Sequence, residues 1–152
     1  MCIRDRPTLA EVARILRLGG VFAAYDNDWP PVVPWEAEAA YNRCINRALL
    51  LGNERRLFGA SQAWDKAGHL ARIEASGRFR HTREVLMHHQ ELGNAERLVA
   101  IALSQGSVAT LLKAGLSEDE IGITDLRAVA QRTLGATPQP WWWSYRVRVG
   151  IR

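Results

Sequence analysis

Apolar and polar positions in this chain follow two periods. Leu9, Val12, Ala13 and Leu16 fall at i, i+3, i+4 and i+7, one apolar stripe of an α-helix. Gly19-Gly20 then supplies the open backbone that ends such a helix. Residues 21–25 form a short apolar run with the length of a buried strand. Asp26, Asn27, Asp28 and Trp29 follow, and Pro30-Pro31 forbids regular structure. The predicted order is helix, glycine turn, buried strand, then a polar and aromatic loop.

Further along, Pro34 suits the first turn of a longer helix. That helix has Ala37, Ala40, Tyr41, Cys44, Ile45 and Ala48 on one face and a stop at Gly52-Asn53. Residues 61–75 read as a helix ending at Gly77, and residues 79–90 as strand-like. Asn94 caps a helix over residues 95–105, and a short helix over 107–114 ends at Gly115. Ser117 and Glu120 have capping-box spacing, and Thr124 is the expected cap of a last helix burying Leu126, Val129, Ala130 and Leu134.

Residues 141–151 alternate strictly. Trp141, Trp143, Tyr145, Val147, Val149 and Ile151 share one face; Trp142, Ser144, Arg146, Arg148 and Gly150 share the other. This predicts a strand with one wet side, the arginine side.

The stretch from Leu9 to Asp26, LAEVARILRLGGVFAAYD, resembles the LxExxRVLKPGGxxxxxD segment of class I S-adenosylmethionine-dependent methyltransferases. The matching residues are Leu9, Glu11, Arg14, Leu16, Gly19, Gly20 and Asp26, with Leu18 in place of the usual proline. In that family the segment is the helix before the fifth strand and the strand itself. The resemblance implies an α/β chain forming the C-terminal part of a Rossmann-like methyltransferase sheet. It would hold strands five to seven, the last antiparallel, with an inserted helical lid. Residues 7–152 would be this part, with 54–78 and 94–134 as the mainly helical lid or cover. Residues 1–6, MCIRDR, do not look like the start of a domain and are read as a sequencing or cloning scar. Two arginines on one face of an interior strand then call for snorkelling at the strand end or, in the whole enzyme, for acidic partners missing from this chain.

The resemblance also implies S-adenosylmethionine as the parent enzyme's cofactor. The family grips it with a glycine-rich turn after an early strand. No GxGxG follows a strand in this sequence, so the binding motif is missing here and no cofactor-binding residue is assigned. No catalytic residue is assigned either, since many members work mainly by bringing donor and acceptor together.

Ligands of open α/β sheets sit beyond the carboxyl ends of the strands. Asp26, Asp28 and Trp29 are therefore candidate substrate-binding residues: the carboxylates to orient a nucleophile or take its proton, the indole to wall the pocket. Trp64 and His69 join them from the lid region that often covers the substrate in this family. Turn chemistry for the two aspartates and ordinary packing of an amphipathic helix are the plainer alternatives.

His81, His88 and His89 lack HExxH, CxxC or an acidic partner at standard spacing, so no metal site is expected. Alternation sends Trp142 away from Trp141 and Trp143, which predicts core packing rather than one stacking platform.

The chain has 152 residues, 47% of them hydrophobic, and a net charge of +4. Those values fit a modest globular domain. No apolar run approaches the roughly 20 residues that cross a bilayer. Basic residues scatter along the sequence without aromatic interleaving, which argues against a nucleic-acid partner. Outside residues 1–6 the only cysteine is Cys44, which fits a reducing cytoplasm. The expectation is a cytoplasmic, partial methyltransferase with a small-molecule acceptor. The alternative is a stand-alone helical binding or regulatory module without catalysis.

Overall fold

A computed structural model describes residues 6–59 and 68–152. The elements are α1 (Arg6–Ile15), β1 (Val21–Asn27), α2 (Trp35–Glu54), α3 (His69–Ala75), β2 (His81–Gly93), α4 (Ala95–Ser104), α5 (Gly106–Lys113), α6 (Glu118–Ile121), α7 (Ile123–Thr133) and β3 (Gln139–Ile151). The strands form one antiparallel sheet in the order β1-β3-β2. β1 pairs with β3 from Val21↔Ile151 to Asn27↔Tyr145.

The chain divides into two compact units. The first takes the described parts of Met1–Asp28, Gln62–His88 and Ser144–Arg152. Leu9, Phe22 and Ile73 are its buried apolar centre, with Val12, Leu16, Ala24 and Phe79 packed against them. The predicted stripe of α1 is thus the face that meets the sheet. Phe22 and Phe79 stack with ring centroids 5.8 Å apart. Gly150 lies opposite Phe22, and a Cβ there would sit 2.8 Å from Phe79 Cγ, so the aromatic pair requires a residue without a side chain.

β1 is not the fully buried strand expected from its apolar run. Only Phe22 is buried, whereas Val21, Ala23 and Tyr25 are exposed. The physical reason is coverage: α1 and α3 supply the packing for the Phe22 side alone. β3 departs from expectation in the same region. Its alternation is real, but Arg148 and Gly150, on the side expected to be wet, are the buried residues here.

The second unit takes Trp29–Ser61, within its described part, and His89–Trp143. Here α2, α4, α5 and α7 pack on one another. Ala37, Ala40 and Ala48 of α2 let neighbouring helices approach closely, and Leu98, Leu111, Ile121 and Leu126 fill the centre. Each such aliphatic side chain contributes roughly 1.5–3 kcal/mol by leaving water. Trp141 and Trp143 are buried and Trp142 is 48% exposed, in agreement with the alternation.

Local signals met two kinds of outcome. Asn94 accepts the Arg97 N–H at 3.0 Å, and Ser117 with Glu120 closes a full capping box. Gly52, read as a helix stop, lies inside α2 because Phe58 packs where its side chain would be. Thr124, read as a cap, lies inside α7, whose N-cap is Gly122 in the left-handed conformation.

Candidate functional site

In the sheet unit, the carboxyl end of β1 carries an interlocked set of charges. Arg148 is only 2% exposed. Its Nη1 donates to Asp26 Oδ1 at 3.0 Å and its Nε to Glu84 Oε2 at 2.6 Å. Asp26 belongs to β1 and Glu84 to β2, so the central strand is bound by charge to both neighbours. Burying a guanidinium costs several kcal/mol unless paired carboxylates offset the lost hydration, and here both flanking strands supply one.

One step toward solvent the same face continues with Arg146. Its Nε lies 3.4 Å from Asp28 Oδ1 and its Nη1 3.9 Å from Glu84 Oε1. Both side chains are about half exposed, and such pairs contribute little to stability. The Asp28 N–H donates to Ser144 O at 2.8 Å, which holds the loop after β1 against β3. Ser144 Oγ and His88 Nδ1 share a hydrogen bond of 3.2 Å. Asp28, Arg146, Ser144 and His88 therefore form an accessible polar strip of donors and acceptors. It sits over a core of charge already satisfied by Arg148.

Of the five expected substrate residues, Asp26 and Asp28 come together here through Arg148 and Arg146. His69 is on α3, where the Arg72 guanidinium lies 3.1 Å from its Nδ1. Trp29 belongs to the helical unit and meets Trp143 edge to face at 5.1 Å. Trp64 lies outside the described residues. Arg146, Arg148, Glu84, Ser144 and His88 were not singled out as site residues. The acidic partners of the two arginines, expected outside this chain, are Asp26, Asp28 and Glu84 within it, because β1 and β2 both flank β3.

Among the described residues, no three His, Cys, Asp or Glu side chains cluster as a metal ion would need. The described residues do not fit S-adenosylmethionine. Gly19 precedes β1, and the other glycines of positive φ, Gly77, Gly115, Gly122 and Gly135, follow helices. Gly93 ends a strand, but a Cβ there would come within 2.3 Å of the Trp141 ring. Its space is already taken by an indole, so none of these is a cradle after a strand.

No family model matches the chain, and no curated protein matches it. Among solved structures it is similar to one from Anaeromyxobacter dehalogenans described as "a Putative Type II Methyltransferase". The TM-score is 0.58 at 17% sequence identity, over 94% of this chain. The chain shares that structure's fold. It spans 57% of that protein's length. No described helix is long and apolar enough to cross a membrane.

Proposed function

We propose that this chain is the C-terminal, acceptor-side portion of a class I S-adenosylmethionine-dependent methyltransferase. The parent enzyme moves a methyl group to an oxygen, nitrogen or carbon of a small molecule in the cytoplasm. The observation that carries this reading is the pairing of β1 with β3 in the order β1-β3-β2, entered through the α1–Gly19-Gly20–β1 segment. In this reading β1 is the fifth strand, β3 the seventh and β2 the sixth, and 54–78 and 94–134 cover the acceptor. The strip of Asp28, Arg146, Ser144 and His88 orients the acceptor's polar groups, and Trp29, Trp64 and His69 are further candidate substrate-binding residues. Asp26 acts through Arg148 as a positioning residue.

Isothermal titration with S-adenosylmethionine tests the proposal. This chain is expected to show no measurable binding, because the cofactor-gripping turn is not among its residues. The same chain extended by its upstream coding sequence is expected to bind. Tight binding by the present chain alone would refute the division of labour.

The helical unit supports a second reading, a binding module without catalysis, since its core is closed and apolar. That module predicts one cooperative thermal transition for the chain as it stands and no cofactor binding in the extended chain.

A further inference from the structure

At the end of β1 away from Asp26, three stretches distant in sequence surround an open concavity of about 370 Å³. They are α1, the turn after α3, and the residue following β3. The lining is Ala10, Ala13, Arg14, Gly77, Arg78 and Arg152. Three arginines thus line a hollow otherwise walled by residues with almost no side chain. The volume lies in the range of small-molecule pockets.

The arginines are held in three ways. Arg152 is fixed through its backbone: its N–H donates to Gly20 O at 3.0 Å and its O accepts from Gly19 N–H at 2.8 Å. Its Nη1 donates to the carbonyls of Arg14, at 3.2 Å, and of Leu16. Arg14 is gripped by Glu11, its Nε and Nη2 reaching the two carboxylate oxygens at 2.7 and 2.6 Å. The Arg78 side chain has no partner among the described residues. Among the described residues Glu11 offsets Arg14 and the main-chain carboxylate of Arg152 offsets a second cation, so the hollow keeps a positive surplus of about one.

From this arrangement we infer a second binding site, for the phosphate group of a small phosphomonoester. A phosphomonoester carries about −1.5 to −2 charge at pH 7, opposite in sign to the surplus. Guanidinium forks match phosphate oxygens two at a time, and Arg152 still has unused N–H donors. Ala10, Ala13 and Gly77 leave the room that longer side chains would fill. The site lies a strand length, roughly 20 Å, from Asp26, and does not rest on the methyltransferase reading.

The test is isothermal titration of the intact chain with inorganic phosphate and with glycerol 3-phosphate, in about 0.1 M salt. The expected result is saturable binding of both. Arg78→Ala should weaken it about tenfold, the loss of one charge-assisted hydrogen bond. Arg132→Ala, which removes the same charge from the exposed surface of α7, should leave it unchanged. Amide NMR of the unmutated chain should show phosphate-dependent shifts concentrated at Arg14, Gly77, Arg78 and Arg152. Absence of binding, equal weakening by Arg132→Ala, or shifts spread over unrelated arginines would each overturn the inference.

Discussion

The sheet unit and the helical unit solve the problem of a small interior in opposite ways. The helical unit fills its centre with alanine, leucine, isoleucine and tryptophan from six elements and, among the described residues, buries no charge. Among the described residues the sheet unit has four buried apolar side chains, Leu9, Ala13, Phe22 and Ile73, and a buried arginine, Arg148. Its far side, with Val21, Ala23 and Tyr25, is exposed, Tyr25 by 73%. An apolar core tolerates exchange of one aliphatic group for another of similar volume. A buried cation does not, because its hydration can be replaced only by particular carboxylates in particular places. The helical unit is held by quantity of packing, the sheet unit by a few specific partners.

Removing the specific partner should therefore have the largest effect. Arg148→Met keeps the length of the side chain and leaves Asp26 and Glu84 without its guanidinium. The expected loss is about 3–5 kcal/mol, read from chemical denaturation. Adding Asp26→Asn and Glu84→Gln to the same variant removes the two carboxylate charges that faced the guanidinium and should recover much of the loss. If Arg148→Met alone costs no more than an exposed substitution, the sheet unit does not depend on its charge network.

Alkali should sort the units the other way. Burial pushes the Tyr41 hydroxyl from its ordinary 10.0 up to about 12, and the Cys44 thiol from 9.0 up to about 11. Both groups are neutral in the folded helical unit and lose protons more readily when unfolded. Their stabilising share is whole below pH 9 and is lost as pH rises through 11 and 12. At about 1.4 kcal/mol per unit, each group accounts for roughly 2–3 kcal/mol at the end of that range. Tyr41→Phe and Cys44→Ala should flatten the alkaline limb of a stability profile. Tyr41→Phe should also cost little at neutral pH, because the buried Tyr41 hydroxyl has no hydrogen-bond partner among the described residues.

The same contrast explains what was legible in the sequence. Helix α1, the residues facing the core in α2, the Asn94 cap and the Ser117 capping box depend on neighbours within a few positions, and periodicity exposes them. The partner of β1 was legible through the resemblance at Glu11, Gly19, Gly20 and Asp26. Which side of β3 is buried beyond Trp143 was not legible. Alternation defines two sides of a strand but not which one receives helices, so Val147 and Val149 outranked Arg148 on hydropathy. The Arg148–Glu84 pair joins residues 64 positions apart, and no local window contains both. Asp26 and Asp28 were legible as a carboxylate pair. Their engagement by Arg148 and Arg146 depends on the register of β1 on β3.

The smallest effect should come from a local contact, which sharpens the contrast from the other end. Ser117 Oγ accepts the Glu120 N–H at 3.2 Å, and the Ser117 N–H donates to Glu120 Oε2 at 2.9 Å. The backbone N–H and hydroxyl of Ser117, with Arg55 nearby, hold the Glu120 carboxyl below its ordinary 4.5. A depressed carboxyl favours the folded state above its unfolded value, and that share is lost as pH falls through the folded one. Ser117→Ala should cost about 1 kcal/mol at neutral pH, the usual worth of a helix cap. It should also weaken the acid dependence, since Glu120 then has less to lose on protonation. The same substitution should leave the Arg148 network untouched, so its cost and that of Arg148→Met should add within about 0.5 kcal/mol in the double variant. A larger departure would mean that the two units share stability, and the distinction between packing and specific charge would then describe one cooperative structure rather than two.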